Sequence, residues 1–319
     1  MKIDYRFSVA PMMGYTTPHA RYFYRLLSKK SILFTEMVAS QSLLNGDERR
    51  LVYKNKEENP TILQVGGSEE NELIHSVNLA DKYGFDGINL NVGCPSKKVQ
   101  KGKFGACLMK EPDLVKKLVK SMINNTDLDV SIKCRTGVDN EDSYEFLKTF
   151  IGKISEAGCK TFFIHARKAI LKGLSPSQNR TIPKLEYEKV YKLKKDFPES
   201  KIIINGGIID LKNSYKFLDE LDGIMIGRLV QKNPFILLDV DSSIYNMKDK
   251  KKDKKKLVRQ YFNYIKENIE NQSAYHLLSP LLGMFFGEPG AKKIRQKIND
   301  LIRSKQFNNL EKICINFVS

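Results

Sequence analysis

Short runs of apolar and β-branched residues recur between positions 6 and 228, and longer stretches with helical periodicity separate most of them. Each run is nearly continuous rather than alternating, which is typical of parallel strands that are buried on both faces. The pattern predicts eight strands, at 6–12, 34–38, 61–67, 87–95, 129–135, 161–167, 201–208 and 223–228. It also predicts intervening helices, several of them ending at a glycine that suits a C-cap, at 69–84, 113–123, 143–158, 186–197 and 213–221.

Eight strands that alternate with helices over about 240 residues predict an α/β protein with a (β/α)₈ TIM barrel. A doubly wound open sheet is the competing architecture. The number and length of the strands favour the barrel, and the first strand is not followed by the G-x-G-x-x-G of a dinucleotide-binding sheet. In a barrel, the carboxyl ends of the strands form the active-site face, so we expect the functional residues there.

The character of the sequence changes after residue 240. Seven lysines lie between Lys248 and Lys256, which indicates a solvated linker or the start of a helix. Amphipathic stretches follow at 255–270, 274–286, 290–304 and 307–317. We therefore predict a barrel domain over 1–245 and a small, basic, all-α C-terminal domain over 246–319.

Charge indicates a polyanionic partner. The 319 residues are 41% hydrophobic and 29% charged, which is ordinary for a soluble globular protein, but the net charge is +17. From Asp241 onward there are 16 basic and 8 acidic residues. This excess favours nucleic acid or a membrane surface, although a lysine-rich proteome also explains it. No apolar run reaches eighteen residues and the N-terminus lacks a signal-peptide core, so we expect a cytoplasmic protein without membrane spans.

The five cysteines do not suggest a disulfide framework or a zinc site, because their number is odd and no C-x-x-C occurs. We expect no metal. Cys94, however, stands between Gly93 and Pro95 where a strand ends and a loop begins. A free cysteine is usually a small core residue, yet this one is followed by four lysines, Lys97, Lys98, Lys101 and Lys103. The position suits a thiol with a chemical task.

Two glycine loops indicate a phosphate site. Asn205-Gly206-Gly207 ends the seventh strand, and Gly227-Arg228 ends the eighth. Barrels commonly bind phosphate after these two strands, and glycine lets main-chain N–H groups approach an anion closely. Arg228 can add a charged fork. The alternative is that the glycines only form tight turns.

Three polar side chains on different strands suit recognition of one polar, planar ring in the barrel. These are Gln64, Lys133 and His165. A lysine inside an apolar strand needs an anionic partner, which could instead be an acidic neighbour such as Glu36. His165 alone could be a structural core residue, so the joint pattern is the stronger signal.

Several motifs together closely resemble bacterial tRNA-dihydrouridine synthases. They are "APMMGYTTPHARYF" (10–23), "TEMV" (35–38), "LQVGGS" (63–68), "INLNVGCPSKKVQKGKFGACLM" (88–109), "IHARKA" (164–169), "IINGGI" (203–208) and "MIGR" (225–228). The stretch 165–198 further resembles the A subfamily, which reduces uridines 20 and 20a of the tRNA D-loop. Gly14 stands where many A-type members have Asp, and Cys134 stands where Thr is usual; neither is an expected catalytic group.

The resemblance implies an FMN-dependent barrel with a helical C-terminal domain. It implies Cys94 as the general acid. It implies contacts to uracil or tRNA from Asn91, Arg180, Pro183, Lys292 and Arg295. It implies FMN contacts from Pro11, Met12, Met13, Gln64, Lys133, His165, Asn205, Gly206, Gly207, Gly227 and Arg228.

The implied chemistry gives Cys94 its task. Reduced FMN delivers hydride from N5 to C6 of uracil, and Cys94 protonates C5 from the opposite face. NADPH then recharges the flavin, using the same open flavin face. The lysines after Cys94 can hold phosphates around a base that is turned out of the folded tRNA, although some of them can equally be solvated loop residues. We expect a monomer.

Two alternatives stay open. A dihydroorotate-dehydrogenase-like flavoprotein would act on a free pyrimidine, but it would not need a basic helical tail. An RNA-binding protein on an inactive barrel would not need Cys94, Lys133 and the phosphate loops.

Overall fold

The eight predicted strands form a closed parallel barrel in sequence order. A computed structural model describes residues 3–248, 252–287, 289–303 and 310–318. Each strand pairs with its neighbours in the chain, and β8 closes the barrel against β1. The predicted TIM barrel is therefore confirmed. The strands are β1 Phe7–Val9, β2 Ile32–Ala39, β3 Thr61–Gly66, β4 Gly87–Asn91, β5 Asp129–Arg135, β6 Thr161–His165, β7 Lys201–Asn205 and β8 Gly223–Ile226.

Helices connect the strands and form the C-terminal region. The α-helices among the described residues are α1 Pro18–Leu27, α2 Ser40–Asn45, α3 Glu48–Leu51, α4 Glu70–Lys82, α5 Lys97–Lys101, α6 Pro112–Asn124, α7 Tyr144–Glu156, α8 Tyr187–Asp196, α9 Arg228–Lys232, α10 Leu237–Ser243, α11 Lys254–Asn268, α12 Ala274–Leu278, α13 Ala291–Arg303 and α14 Leu310–Phe317. Short 3₁₀ segments lie at Lys56–Glu58, Gly105–Lys110, Gln178–Arg180, Lys212–Asp219, Pro234–Ile236 and Ser279–Phe285.

One predicted helix differs in type. The pattern at 213–221 predicted a helix, but the chain forms a 3₁₀ segment at Lys212–Asp219. The carbonyl of Leu211 accepts from both the backbone N–H and the hydroxyl of Ser214, at 3.1 and 2.6 Å. This bond to the third residue, rather than the fourth, tightens the turn from α to 3₁₀ geometry.

The barrel interior is apolar at its base and polar at its mouth, the end formed by the carboxyl ends of the strands. A separate buried cluster fills the base, and within it the Phe163 ring makes edge contacts with Tyr5 and Phe34 at 5.6 and 5.1 Å. Along β5 the residues that follow inward are Ser131, Lys133 and Arg135, because side chains alternate between the two faces of a strand. The apolar base thus closes the barrel below a polar mouth.

The C-terminal helices pack against the barrel through α1. The Tyr264 ring stacks on Tyr22 with centroids 4.0 Å apart, and the Tyr264 hydroxyl lies 2.7 Å from His19 Nδ1. Burial, followed by the positive neighbours His276 and Arg21, lowers the pKa of His19 to about 4, so this imidazole is neutral near pH 7. The 3₁₀ segment that contains Gly283 approaches α9 and the residues after it so closely that a Cβ on Gly283 would lie 2.7 Å from the Gln231 carbonyl and 2.8 Å from Pro234. The helical region predicted after the barrel is therefore present and contacts it.

None of the helices in the described part of the chain has both the length and the apolarity needed to cross a bilayer.

Candidate active site

A cavity of about 1000 Å³ opens at the barrel mouth. Every strand end contributes to its wall. The predicted functional residues that line it are Pro11, Met12, Met13, Gln64, Asn91, Cys94, Lys133, His165, Arg180, Asn205, Gly206, Gly207, Gly227 and Arg228. Pro183, Lys292 and Arg295 do not line it. Its volume is at the upper end for pockets that hold a small molecule or cofactor, so there is room for more than one group.

A hydrogen-bonded row of side chains joins β3, β4 and β5, partly at the cavity wall and partly beneath it. Gln64 donates to Asn89 Oδ1 at 2.8 Å and accepts from Asn91 Nδ2 at 3.0 Å. Asn89 in turn donates to the Ser131 hydroxyl at 2.9 Å. Because neighbouring parallel strands place these positions side by side, β3, β4 and β5 hold each other's amide orientations. Asn89 and Ser131 were not predicted as site residues, since nothing in the sequence shows which inward polar residues pair.

Asn91 also holds the loop that carries Cys94. Its Oδ1 accepts from the backbone N–H of Gly93 at 3.1 Å and of Cys94 at 3.0 Å. An asparagine that bonds the backbone two or three residues on fixes a turn. One side chain therefore links Gln64, deep in the barrel, to the half-buried thiol position at the mouth.

The loop after Cys94 is fixed from its other side as well. Ala106 donates its N–H to the Cys94 carbonyl at 2.9 Å, and Ser96 caps α5 by accepting from Val99. Gly105 has φ +78°, and a Cβ there would lie 2.6 Å from the Cys94 carbonyl and 2.4 Å from Val99. The glycine of the "GAC" stretch is thus required by the close return of the chain to Cys94.

Lys133 projects into the mouth without an ion pair. No hydrogen bond or salt bridge of its ammonium to another described residue is present, and Glu36 instead accepts from the Gly14 backbone at 2.5 Å. Burial, followed by the charge of Arg135, lowers the pKa of Lys133 to about 8. The alternative of a Lys133–Glu36 ion pair is therefore not what the structure contains. An anionic ligand would stabilise the charged form of this buried, unpaired ammonium.

His165 presents an unpartnered, buried nitrogen to the same region. Its Nε2 has no hydrogen-bond partner among the described residues, and the side chain is 8% exposed. Burial, then the charges of Arg135 and Lys133, keeps the pKa of His165 well below its ordinary value, so the ring is neutral. A buried nitrogen without a partner is costly, which indicates that a ligand atom completes it.

The glycine loop after β7 forms a cradle beside His165. Gly206 and Gly207 have φ of +105° and +71°, a conformation that favours glycine. A Cβ on Gly206 would lie 2.5 Å from the His165 ring, and one on Gly207 would lie 2.5 Å from Leu185. Asn205 is anchored by a 2.8 Å bond to the Met225 carbonyl. These glycines therefore do more than allow a turn, because a side chain on Gly206 would collide with the His165 ring and one on Gly207 would collide with Leu185.

Four arginines surround this cradle without a carboxylate partner among the described residues. Two of them, Arg135 and Arg167, were not predicted as site residues, and they join Arg180 and Arg228. Arg135 is buried and donates to the carbonyls of Gly93 and Asn179 at 2.9 and 3.0 Å. Arg228 donates to the Arg180 carbonyl at 3.1 Å.

Burial and repulsion between the positive charges lower the pKa values of Arg135, Arg167 and Arg180. Burial, followed by the charge of Arg228, lowers the pKa of both Arg167 and Arg180. Burial lowers the pKa of Arg135 to about 10, and the interaction with Cys94 partly opposes this shift. An anionic ligand would offset this repulsion, so the arrangement fits a phosphate group.

The remaining predicted contacts lie outside the cavity. Pro183 is buried, and its carbonyl accepts from the Arg167 guanidinium, so its place in the structure is to hold that arginine. Lys292 is exposed and Arg295 half-buried on α13, whose Ile294 and Ile298 face the core. Part of the lysine run that was predicted as a linker, residues 249–251, lies outside the described residues.

The lysines that follow Cys94 are solvent-facing. Lys97, Lys98, Lys101 and Lys103 are all exposed, and only Lys98 lines the cavity. None of the four makes an ion pair with another described residue. Lys98 brings positive charge to the cavity wall that also contains Cys94, and the other three add exposed positive charge to the same loop and helix, which suits a polyanion that approaches from outside.

Comparison with known proteins adds independent findings. The family model described as "Dihydrouridine synthase (Dus)" matches residues 8–318. A "tRNA-dihydrouridine(20/20a) synthase" of Vibrio cholerae is 45% identical over 297 residues, which are 92% of this chain and 90% of that protein. Proteins with the same description are 46% identical in Escherichia coli O6:H1, over 93% of this chain and 90% of theirs, and 44% identical in Synechocystis, over 92% and 88%.

Proposed function

This chain belongs to the dihydrouridine synthase family, and we propose that it reduces uridine to 5,6-dihydrouridine at positions 20 and 20a of the tRNA D-loop, using FMN and NADPH. The position assignment is supported by relatives of 44–46% identity whose names specify 20/20a. The single observation that carries the proposal is one cavity in which Cys94, Lys133, the unpartnered His165 nitrogen and the glycine cradle meet.

The residues of the mouth fit FMN. Gly206, Gly207, Gly227 and Arg228 would hold its phosphate, because they combine exposed backbone with uncompensated positive charge. Gln64, Lys133 and His165 would bind the ring, with His165 Nε2 gaining the partner that it lacks. Pro11, Met12 and Met13 would cover the ring. Asn205 would fix the start of the Gly206-Gly207 cradle.

Bound FMN, once NADPH has reduced it, would supply the hydride for C6 of uracil. Cys94 would hold the proton that C5 requires, and the Asn91 turn would fix the thiol at the cavity wall. General acid catalysis of this kind contributes roughly 10² to 10⁴ in rate. Lys133, the cation of the inner mouth, would stabilise negative charge that develops on the bound groups.

The outer surfaces would hold the RNA. Arg180 and the exposed lysines after Cys94 would contact phosphates next to the uridine, and Lys292 and Arg295 on α13 would contact the tRNA body. In this proposal the barrel over 1–245 carries the chemistry and 246–319 binds tRNA. NADPH would use the same open side of the cavity, and the protein would work as a cytoplasmic monomer.

The direct test is NADPH-dependent conversion of an unmodified tRNA transcript by the purified protein, with mapping of dihydrouridine along the chain. Formation at 20 and 20a, together with an FMN absorbance spectrum, is the expected result. Reduction of free uracil or orotate derivatives in place of tRNA would favour the dihydroorotate-dehydrogenase-like alternative. If the FMN-loaded protein catalysed neither reaction, the assignment would be overturned.

A further inference from the structure

The cavity continues past the proposed cofactor residues into a lobe between the start of α1 and the segment after α3. We use "tyrosine lobe" for the part lined by Met13, Tyr15, Pro18, Leu51 and Tyr53. Met13 is 65% exposed, Tyr15 48% and Tyr53 36%. Large apolar side chains that are exposed together at a cavity entrance indicate a binding surface.

A turn holds two of these side chains outward. The Thr16 hydroxyl accepts from the Met12 N–H at 3.0 Å, and the N–H groups of Tyr15 and Thr16 both donate to the Met12 carbonyl. Gly14 supplies the positive φ, +75°, and its N–H donates to Glu36. The turn is thus held by bonds among Met12, Tyr15 and Thr16 and by the bond from Gly14 to Glu36, so the exposure of Met13 and Tyr15 is a property of the fold.

A buried ion pair ties the two tyrosine segments together. Arg21 donates through Nε to Glu58 at 2.6 Å, and both side chains are almost fully buried. Its two remaining nitrogens donate to the carbonyls of Thr16 and Tyr53, at 2.8 and 2.9 Å. One guanidinium therefore fixes the spacing between the backbone beside Tyr15 and the backbone of Tyr53.

The Tyr53 ring is oriented as well. Its hydroxyl donates to Asn55 Oδ1 at 3.3 Å, and Asn55 Nδ2 donates to the Pro18 carbonyl at 3.1 Å. Two aromatic side chains from segments far apart in the sequence are therefore preorganised on one cavity wall.

Positive charge borders the tyrosine lobe. Arg50 and Lys98 line the cavity and are exposed, and neither makes an ion pair with another described residue. Aromatic rings beside a positively charged groove are the combination that binds single-stranded nucleic acid, since bases stack on the rings and phosphates meet the cations. The net charge of +17 favours the same class of partner.

We infer that the tyrosine lobe is a second base-binding subsite, which takes a nucleobase adjacent in the tRNA chain to the uridine that is reduced. This inference rests on the proposed function and extends it. The target uridine enters beside Cys94, and its neighbour stacks on Tyr15 or Tyr53 while Arg50 meets a phosphate. Substitution of an aromatic ring that stacks one base weakens binding by about tenfold.

The test uses the flavin-loaded protein and two unmodified tRNA transcripts that carry fluorescent 2-aminopurine immediately 5′ or 3′ of the target uridine. Wild-type protein is expected to quench one of the two labels, because a stacked base loses fluorescence. Tyr15→Ala with Tyr53→Ala is expected to abolish the quenching and to weaken binding about tenfold or more. Tyr15→Phe with Tyr53→Phe keeps both rings and is expected to keep both signals.

Tyr191→Ala is the matched control, since Tyr191 is partly exposed on α8 but lies outside both the cavity and the region 246–319. Retained flavin absorbance and an unchanged melting temperature show that the double alanine variant is folded. Failure of wild-type protein to quench either label, or full quenching and affinity in the folded double alanine variant, would overturn the inference. Dihydrouridine formation is measured in the same samples: quenching without reduction contradicts the proposed function alone, and reduction without quenching contradicts the subsite alone.

Discussion

The side-chain oxygen of Asn91 lies 3.0 Å from the backbone nitrogen of Cys94 and accepts its hydrogen bond. The amide nitrogen of the same side chain donates to Gln64 Oε1 at 3.0 Å. The resemblance to the family led us to expect that Asn91 contacts uracil. Its geometry gives it a positioning task in addition, because it connects the proposed flavin-binding amide to the loop of the proposed acid.

Asn91→Ala is expected to lower kcat for uridine reduction about tenfold to a hundredfold, since a small displacement of a catalytic group has effects of this size. The flavin should remain bound, because the side-chain bonds of Asn91 go to Gln64, Gly93 and Cys94 and not to the residues proposed to hold the phosphate. Alkylation of Cys94 by iodoacetamide, followed by mass spectrometry, should become faster as the loop loosens. Asn91→Asp keeps the acceptor for the two N–H groups and should restore slow alkylation. Equal alkylation rates in all three proteins would contradict the positioning role.

Cys94→Ala is expected to keep FMN and its reduction by NADPH while tRNA reduction falls by roughly 10² to 10⁴. In the proposed mechanism the thiol acts only on the proton for C5, so the two half-reactions should separate. Stopped-flow measurement of flavin reduction and of reoxidation by tRNA checks this. Cys107→Ala is the matched control, because Cys107 is similarly half-buried but donates to the Phe104 carbonyl. Wild-type reoxidation in Cys94→Ala would assign the proton to another group.

The barrel was predictable because its strands are buried on both faces. Continuous apolar runs of this kind, ending in polar or glycine residues, placed each strand end within a few residues. The 3₁₀ segment at Lys212–Asp219 was not predictable, since amphipathic spacing does not show that Ser214 bonds back to Leu211.

Most residues that line the cavity were predictable from the sequence, but the hydrogen bonds that hold them were not. Alternation along β5 brings Lys133 and Arg135 to the same side of the strand, yet the partners of Arg135 are carbonyls at Gly93 and Asn179. Likewise, nothing local reveals that Arg21 joins Thr16 to Tyr53. These contacts join distant segments, and only the closed barrel brings them together.

Arg228→Ala is expected to weaken FMN binding about tenfold to a hundredfold, because a hydrogen bond from a charged donor to phosphate is worth roughly 1.5–3 kcal/mol. The fold should be intact, since the side chain is exposed. Fluorescence titration of FMN into flavin-free protein measures the dissociation constant. Lys232→Ala, at the other end of α9, is the matched control. Unchanged flavin affinity in Arg228→Ala would remove this residue from the phosphate site.

Flavin binding should weaken as the pH rises through about 8, the lowered pKa of Lys133. Below that pH the Lys133 ammonium is charged and can bind FMN electrostatically, and above it the charge is lost. The same lowered pKa means that charged Lys133 opposes folding of the ligand-free protein below about pH 8, and that this cost is relieved as the pH rises further. FMN titrations of wild type and Lys133→Met between about pH 6 and 9.5 test this. A plot of log dissociation constant against pH should bend near pH 8 for the wild type and should not bend there for the variant. A bend that persists in Lys133→Met would assign the titration to another group.

Replacement of Lys292 and Arg295 by alanine should weaken tRNA binding and flatten its salt dependence. Both residues lie on α13, whose buried face is formed by Ile294 and Ile298, so the exposed side of the helix keeps its charge for a ligand. Each lost phosphate contact lowers the slope of log affinity against log salt by about one, which predicts a slope smaller by about two. Filter binding across a salt series measures both quantities. Lys160→Ala at the opposite end of the barrel, next to the start of β6, should leave them unchanged, and flavin content should be equal in all the proteins. Wild-type affinity and slope in the double variant would place the tRNA surface elsewhere, with the lysines between Lys248 and Lys256 as the next segment to test.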